Sequence, residues 1–269
     1  MKKHQKTILI TGASSGMGRA TALFLAQKGF VVYAGSRTPE KLPIDDNIFP
    51  LKLEVTEQKS IDSAISKIEK IDILINNAGY GLVSTVEEFK EEEMLEQFNV
   101  NLFGLLRVCK AVIPKMRREQ SGVIINISSF LGKIGLPLLT MYNASKYAVE
   151  GVTDSMRYEL RDFNIRVHSV MPGFFNTEFS RSNLVTNLET FNPHSPYALM
   201  VENLAPNIVE QINNGNDVAE VAKLILEIIE NQEFPARATV GDKASKFIPM
   251  KQELSDEDFE RRVREYYKL

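Results

Sequence analysis

A tyrosine and a lysine one helical turn apart, Tyr142 and Lys146, have a spacing that suggests chemistry in this 269-residue chain. In a helix, side chains four positions apart lie on one face, so the phenol and the ammonium would project together. A free phenol has a pKa of about 10, and a nearby cation lowers that pKa by stabilising the phenolate. The pair therefore predicts a phenol suited to general acid–base work near neutral pH. The same spacing is also typical of an ordinary solvated helix.

The composition indicates an ordered globular protein, since 43% of the residues are hydrophobic and 25% are charged. The net charge is −3 and no basic block is present, which gives nucleic-acid binding no support. No apolar run reaches membrane-spanning length, so no transmembrane segment is expected. The single cysteine, Cys109, excludes an internal disulfide and fits a reducing cytoplasm, where we expect the protein. The three histidines lack metal-ligand spacing, so no metal site is predicted.

A glycine-rich turn near the start of the chain is a candidate phosphate site. Residues 6–11 have the pattern of a buried strand, residues 16–28 have helical periodicity, and Gly29 ends that helix. Glycines let the backbone approach a pyrophosphate closely, and a helix N-terminus offers free N–H groups. The predicted contacts in this turn are Gly12, Ser14, Ser15, Gly16, Met17 and Gly18.

The end of the second predicted strand, residues 30–35, indicates which dinucleotide binds. In dinucleotide-binding folds an acidic residue at this point holds the ribose 2′-hydroxyl, whereas a nearby Arg accommodates a 2′-phosphate. This chain has Ser36 and Arg37 there and lacks the acid. Because a carboxylate would repel the phosphate, the absence of an acid favours NADP(H) over NAD(H). A solvated surface arginine is the alternative interpretation of Arg37.

Strands and helices alternate along most of the remaining chain. Further strands are predicted at 51–55, 72–75, 122–127, 166–171 and 238–240. The helices between them are predicted at about 57–68, 94–118 and 217–231, with a further one that carries Tyr142 to about residue 162. This alternation predicts an α/β Rossmann fold, with a doubly wound, mostly parallel seven-stranded sheet and helices on both faces. Because ligands bind beyond the carboxyl ends of such strands, polar clusters should converge on one edge from residues 12–18, 36–37, 76–79, 128–129 and 172–173.

The alternation stops over about residues 174–214, where apolar residues mix with prolines. An excursion of this length is often a lid over a site, and a packed helical pair that completes the core is the alternative. The core would extend over about 6–240. The tail, about 243–269, predicts a helix capped at Ser255 whose apolar stripe packs on the body or on a partner subunit. We expect a single NAD(P)-binding domain over residues 1–269.

Several short motifs occur in a fixed order along the chain. They are TGxxxGxG from Thr11 to Gly18, NNAG from Asn76 to Gly79, Asn101, Ser129, YxxxK at Tyr142 and Lys146, and PGxxxT from Pro172 to Thr177. Over about residues 6–240 this order resembles the short-chain dehydrogenase/reductase family in its single-domain form. Among the members of that family, the chain is most similar to the hydroxysteroid and retinol dehydrogenase-like branch.

The resemblance implies a catalytic tetrad of Asn101, Ser129, Tyr142 and Lys146. Tyr142 would be the general acid in carbonyl reduction and the base in alcohol oxidation, and Ser129 would hydrogen-bond the substrate oxygen. Lys146 would lower the pKa of the tyrosine and bind the nicotinamide ribose. Asn101, through a break in its helix, would hold a water that relays protons to Lys146. Ser128 is the rival for the serine role.

The resemblance also implies further cofactor contacts. The residues after the fourth strand would line the adenine-ribose end, and Thr177 would line the carboxamide end. Glu54 occupies the position where the family usually has an Asp near the adenine. The full set of these contacts, with Tyr142 and Lys146, comprises Glu54, Val55, Asn77, Ala78, Gly79, Pro172, Gly173 and Thr177.

We therefore expect an NADP(H)-dependent oxidoreductase that interconverts an alcohol and its ketone or aldehyde on a small, lipophilic substrate. Apolar residues around the tetrad and aromatic residues after Gly173 favour a lipophilic substrate. A 3-oxoacyl thioester reductase is the enzymatic alternative, and a regulator that binds NADP(H) without turnover is the alternative outside enzymes. By resemblance, we expect a homodimer or homotetramer formed through the helices that hold Asn101 and Tyr142.

Overall fold

Strands and helices alternate along the chain in a computed structural model, which describes residues 5–43, 45–177 and 183–269. The strands among these residues are β1 (Thr7–Thr11), β2 (Val31–Ser36), β3 (Ile48–Lys52), β4 (Ile73–Asn76), β5 (Gly81–Val83), β6 (Gly122–Ile127), β7 (Ile165–Pro172), β8 (Leu184–Thr186) and β9 (Arg237–Val240). The α-helices are α1 (Gly16–Gln27), α2 (Gln58–Ser66), α3 (Glu91–Phe98), α4 (Leu105–Glu119), α5 (Thr140–Leu160), α6 (Ala198–Asn213), α7 (Ala219–Glu230), α8 (Asp242–Glu253) and α9 (Asp256–Tyr267). A π-helix, Asn99–Gly104, joins α3 to α4, and a 3₁₀ turn, Phe130–Gly132, follows β6.

Seven of the described strands form one parallel sheet, in the order β3-β2-β1-β4-β6-β7-β9. The chain adds strands on one side of β1 and then crosses over to β4 on the other side. Every residue of β4 and β6 is buried, as expected when helices cover both faces of a parallel sheet. The predicted doubly wound Rossmann fold is confirmed. Its topological switch point, where such sheets bind ligands, lies between β1 and β4.

Alternate residues of β1 belong to two separate apolar clusters. Ile8 and Ile10 pack with residues of α1 and α7, whereas Leu9 packs with residues of α2, α4 and α5. Successive side chains of a strand point to opposite faces, so the two clusters lie on opposite faces of the sheet. The sheet is thereby held between two helical layers, and its carboxyl edge is left for the loops.

The third strand lies earlier in the sequence than predicted. The structure has β3 at Ile48–Lys52 in place of 51–55, and it includes Pro50, which pairs with Ala34 of β2. Proline cannot donate a ladder hydrogen bond, so a proline in the sequence argues against a central strand at that position. Because β3 is an edge strand, half of its backbone N–H groups point away from the sheet and need no strand partner. A proline is tolerated at such a position.

The excursion after β7 packs against the body in its described part. β8 pairs with β5 in a separate two-stranded sheet, and α6 buries Leu204, Ile208 and Ile212. This packing is closer to the alternative interpretation, a packed helical pair that completes the core, than to a lid. Among the described residues of the excursion, α6 is one helix where a pair was predicted. Residues 178–182 of the excursion lie outside the described residues.

The tail forms two helices where one was predicted. Ser255 Oγ accepts a hydrogen bond from Asp258 N at 3.1 Å, which confirms the predicted cap of α9. The sequence pattern does not indicate α8, because Pro249 stands inside it and few of its residues are apolar. Both helices pack in a third apolar cluster with α6 and the 3₁₀ turn. Within the described ranges, no helix is both long and apolar enough to span a membrane.

Candidate active site

The polar loops that follow the parallel strands meet at the carboxyl edge of the sheet, as predicted. They border one cleft with a volume of about 570 Å³. Its lining includes the predicted residues Gly12, Ser14, Ser15, Gly16, Met17, Gly18, Ser36, Arg37, Glu54, Val55, Asn77, Ala78, Gly79, Tyr142, Lys146 and Thr177. Pro172 and Gly173 line an adjoining smaller pocket instead.

The glycine turn packs directly on the loop after β4. Gly12 has a φ of +67°, and a Cβ there would lie 2.8 Å from Ala78 Cα, so only glycine fits without strain. A Cβ on Gly18 would lie 2.3 Å from Asn77 Nδ2. Asn77 Nδ2 donates to the carbonyl oxygens of Thr11 and Gly12, both at 3.0 Å. Asn77 therefore stabilises the glycine turn through these two hydrogen bonds, a structural role that the motif alone did not indicate.

The N-terminus of α1 opens toward this cleft, with Gly16 as its first residue. Ser15 is extended at the N-cap position and its side chain makes no capping hydrogen bond. The Ser15 side chain therefore does not occupy the first N–H groups of the helix, and N–H groups at this position receive a phosphate in dinucleotide folds.

Arg37 lies at the outer end of the cleft, with 75% of its side chain exposed. Its Nε is 3.7 Å from Glu54 Oε2, so the two residues predicted at this end form a loose ion pair. Lys52 Nζ donates to the carbonyl oxygen of Arg37 at 2.5 Å and adds a second positive charge. The sequence analysis missed Lys52. The predicted strand began at residue 51 and placed Lys52 at its amino end, whereas in the structure Lys52 is the last residue of β3 and lies at the carboxyl edge of the sheet.

Helix α5 brings Tyr142 and Lys146 to one face, with Lys146 Nζ 5.7 Å from the centroid of the tyrosine ring. Lys146 Nζ donates to the carbonyl oxygen of Ile127 at 2.8 Å. The Tyr142 and Ser129 side chains are hydrogen-bonded to each other. Ser128 Oγ is buried and has no hydrogen-bond partner among the described residues. Of the two adjacent serines, Ser129 is therefore the one in contact with the phenol.

The pKa values of Tyr142 and Lys146 move in directions that the spacing does not predict. Burial raises the pKa of Tyr142 to about 12, and the hydrogen bond with Ser129 opposes that rise. Burial lowers the pKa of Lys146 to about 8, against the charge of Glu150, which raises it. The predicted lowering of the tyrosine pKa is wrong for this arrangement, because burial of the phenol raises its pKa by more than the hydrogen bond with Ser129 lowers it.

Asn101 lies within the π-helix, so the predicted break in its helix is confirmed. Its Oδ1 accepts from Tyr80 N at 3.0 Å, and its Nδ2 donates to Tyr80 O at 2.9 Å and to Ser145 Oγ at 3.1 Å. A Cβ on Gly79 would lie 3.2 Å from Asn101 Oδ1 and 3.8 Å from Lys146 Nζ. The amide of Asn101 and the ammonium of Lys146 thus converge on Gly79. A side chain at this position would crowd the amide oxygen, which favours glycine.

Gln97 is a second residue that the sequence analysis missed. It is fully buried, its Oε1 accepts from Leu82 N at 2.6 Å, and its Nε2 donates to Tyr80 O at 2.8 Å. Together with Asn101 it fixes the backbone that leads from the loop after β4 into β5. The available signal was its position one helical turn before Asn101, since residues four apart in a helix share a face.

A smaller pocket of about 60 Å³, lined in part by Ser129, adjoins the cleft at Ser128 and Tyr142. Most of its lining is apolar and comes from the 3₁₀ turn, the segment after β7 and α6. These residues are Phe130, Leu131, Leu139, Phe174, Phe175, Leu184, Ile208 and Ile212. The proton-bearing phenol therefore lies at the junction between a polar cleft and an apolar pocket. Within the described residues, no group of acidic, histidine or cysteine side chains is arranged to hold a metal ion.

Two protein relatives are similar to the chain in sequence. The chain is 36% identical over 270 residues to the 3-ketodihydrosphingosine reductase of Bacteroides thetaiotaomicron, which covers 97% of this chain and 98% of that protein. It is 39% identical over 189 residues to the 3-oxoacyl-[acyl-carrier-protein] reductase FabG of Thermotoga maritima, which covers 66% of this chain and 77% of that protein.

Solved structures have the same architecture. A short-chain dehydrogenase from Streptomyces avermitilis superposes with a TM-score of 0.83 at 30% identity, covering 99% of this chain and 97% of the other. A short chain dehydrogenase from Burkholderia cenocepacia, solved in complex with NADP, superposes with a TM-score of 0.77 at 27% identity, covering 98% and 99%. The family model for short chain dehydrogenases matches residues 6–187. The chain therefore belongs to the short-chain dehydrogenase/reductase family and is an oxidoreductase of that family.

Proposed function

We propose that this oxidoreductase interconverts an alcohol and its ketone or aldehyde on a lipophilic substrate, with NADP(H) as cofactor and Tyr142 as general acid and base. The position of Tyr142 carries this proposal. Its phenol is hydrogen-bonded to Ser129, lies on one helix face with Lys146, and borders both the 570 Å³ cleft and the 60 Å³ apolar pocket. A carbonyl in the apolar pocket would thus meet a proton donor and a nicotinamide in the cleft from two sides.

The residues of the cleft fit a dinucleotide with a 2′-phosphate. The closely packed glycine turn and the uncapped N-terminus of α1 suit a pyrophosphate. Arg37 and Lys52 supply positive charge at the outer end, where no acidic residue follows β2 directly. The NADP complex of the Burkholderia cenocepacia relative supports this choice. When bound, the nicotinamide supplies or accepts the hydride.

The buried phenol is protonated at neutral pH, because its pKa is raised to about 12. It therefore enters carbonyl reduction as the acid and donates its proton to the developing alkoxide. Ser129, already hydrogen-bonded to the phenol, would hold the substrate oxygen beside it. Lys146 is an ammonium below a pH of about 8 and would return a proton to Tyr142. Asn101 converges with Lys146 on Gly79, which supports the proposed relay of protons through a water at that point.

The apolar lining of the smaller pocket and the relative from Bacteroides thetaiotaomicron support a long-chain ketone as substrate. That relative is named for reduction of 3-ketodihydrosphingosine and matches almost the whole chain. A 3-oxoacyl thioester is the second candidate substrate, favoured by the identity with FabG.

The assembly we propose is a homodimer or homotetramer formed through the π-helix, α4 and α5. Large apolar side chains are exposed on these elements, among them Phe103 (44%), Tyr147 (45%) and Tyr158 (83%). Association would remove that apolar surface from water. We place the enzyme in a reducing cytoplasm on account of its single buried cysteine, Cys109.

The first test is turnover of NADPH and NADH with 3-ketodihydrosphingosine, simple long-chain ketones and 3-oxoacyl thioesters, in the wild type and in Tyr142→Phe. We expect NADPH-dependent reduction of a lipophilic ketone that falls by about 10² to 10⁴ in the variant, with NADPH affinity unchanged. Wild-type turnover in Tyr142→Phe would refute the proposed acid. Cofactor binding without turnover on any of these carbonyls would favour a nucleotide-binding regulator.

A further inference from the structure

Glu150 is a buried carboxylate one helical turn beyond Lys146 on α5. Only 3% of the residue is exposed. Its Oε2 forms ion pairs with Arg237 Nε of β9 at 2.6 Å and with Lys133 Nζ, just after the 3₁₀ turn, at 3.6 Å. Its Oε1 is buried and has no hydrogen-bond partner among the described residues. A buried carboxylate with an unsatisfied oxygen is costly, so it calls for a role beyond packing.

The side chain of Glu150 reaches toward the proposed active site. A Cβ on Gly132, in the 3₁₀ turn that begins after Ser129, would lie 3.2 Å from Glu150 Cγ and 3.0 Å from Lys146 O. Glu150 and Lys146 are four positions apart on one helix, so their side chains share a face. Lys146 is 6% exposed, and its Nζ donates a hydrogen bond to a neutral backbone oxygen, that of Ile127. Within the described ranges Lys146 has no carboxylate within ion-pair distance, so Glu150 acts on it through space.

Cations outnumber anions around this carboxylate. Lys133 and Arg237 form ion pairs with Glu150, Lys146 lies four positions before it on α5, and Asp154 is a further anion of this cluster. Asp154 also lies on α5, pairs with Arg237 Nη2 at 2.5 Å, and has 50% of its side chain exposed to water. Without the charge of Glu150, three cations would share one partly solvated carboxylate, and the most buried of them would bear most of the repulsion.

We propose that Glu150 is a positioning residue of this enzyme: its buried carboxylate, anchored by Arg237 of β9, is the through-space counter-ion that keeps Lys146 in its ammonium form beside Tyr142. The part of this inference that concerns catalysis rests on the proposed function. The opposing effects of burial and of Glu150 on the pKa of Lys146 support the same link, since that pKa is about 8 and the charge of Glu150 raises it.

The test is the titration of Lys146 in the protein without cofactor, followed by NMR of isotope-labelled lysine side chains and assigned with Lys146→Arg. In Glu150→Gln we expect the Lys146 midpoint to fall by about one pH unit, because its counter-ion is gone. In Lys133→Gln we expect the midpoint to rise, because a competing cation is gone. Asp154→Asn, half-exposed and two turns from Lys146, is the matched control and should leave the midpoint in place.

A second readout is the pH dependence of ketone reduction. For Glu150→Gln we expect kcat about fivefold below the wild type at pH 8 and close to it at pH 6. At pH 6 Lys146 is charged in the wild type and in the variant. A merely structural role would lower kcat equally at both pH values and leave the titration unmoved, which would overturn the inference. If Glu150→Gln fails to fold, the rise expected in Lys133→Gln decides, and an unchanged midpoint there refutes the link. Shifted midpoints without Tyr142-dependent turnover would instead refute the proposed function.

Discussion

At the scale of single residues, cofactor choice depends on the side chain of Arg37. Its ion pair with Glu54 spans 3.7 Å and the guanidinium is largely exposed, so the pair contributes little to stability. A doubly charged phosphate would therefore compete well for the guanidinium, with Lys52 beside it. Glu54 is the opposing feature, because its carboxylate lies near the same position.

We expect Arg37→Gln to weaken NADPH binding by about 10- to 100-fold, since a hydrogen bond to a charged group contributes about 1.5 to 3 kcal/mol. NADH binding should be unchanged, because the ribose hydroxyl carries no charge. Titration calorimetry with both cofactors measures the two affinities, and Arg118→Gln, an exposed arginine at the end of α4, is the control. Equal losses for NADPH and NADH would show that Arg37 does not discriminate between them. Glu54→Gln should tighten NADPH binding.

At the scale of secondary-structure elements, His168 fastens β7 to the segment that enters β9. The residue is 2% exposed, with Nδ1 2.8 Å from Pro235 O and Nε2 3.1 Å from Arg166 Nη1. A guanidinium only donates hydrogen bonds, so Nε2 must accept and Nδ1 must carry the proton. The fold therefore holds the neutral imidazole.

Burial lowers the pKa of His168, and the charges of Arg166 and Arg157 lower it further against the hydrogen bond to Pro235. The folded-state pKa is then below the unfolded value of about 6.5, so the unfolded chain binds more protons. The contribution to stability is present above that pH and is lost as the pH falls below it. We expect urea unfolding at pH 7.5 and 5.5 to show a smaller loss of unfolding free energy in His168→Asn than in the wild type. His194→Asn, at an exposed position, should match the wild type; an equal loss in His168→Asn would contradict the account.

At the scale of the whole molecule, the C-terminal helices pack behind residues that line the proposed substrate pocket. Phe247 of α8 and Phe259, Val263 and Tyr267 of α9 share one apolar cluster with Phe130, which follows Ser129. Tyr267 is 1% exposed, and its hydroxyl has no hydrogen-bond partner within the described residues. Tyr267 thus supports the site by the packing of its ring and not by its hydroxyl.

We expect Tyr267→Phe to leave the unfolding free energy unchanged or to raise it by up to about 1 kcal/mol, because it removes an unsatisfied buried hydroxyl. Tyr267→Ala should cost about 3 kcal/mol, because it leaves a cavity in the cluster. Chemical unfolding of both variants measures the two changes. A cost for the phenylalanine variant equal to that of alanine would mean that the hydroxyl has a stabilising partner.

The elements that could be predicted from the sequence are those whose signal is local. Continuous apolar runs such as residues 73–75 predicted central strands, and the glycine turn before α1 predicted one end of the cleft. The failures occurred where a local rule is overridden by position in the fold. Pro50 is tolerated because β3 is an edge strand, and Pro249 is tolerated inside α8 although proline usually ends a helix.

By itself, the sequence determined that the loops after the parallel strands meet at the carboxyl edge of the sheet and that Tyr142 and Lys146 share one helix face. The resemblance to the family added Asn101 and Ser129 to that pair. Only the tertiary structure decided their electrostatics. Burial reversed the expected pKa shift of Tyr142, and the counter-ion proposed for Lys146 is anchored by Arg237, which is 87 residues from Glu150 in the sequence. The physical reason is that desolvation and Coulomb energies depend on every group packed around a charge, and most of those groups are remote along the chain.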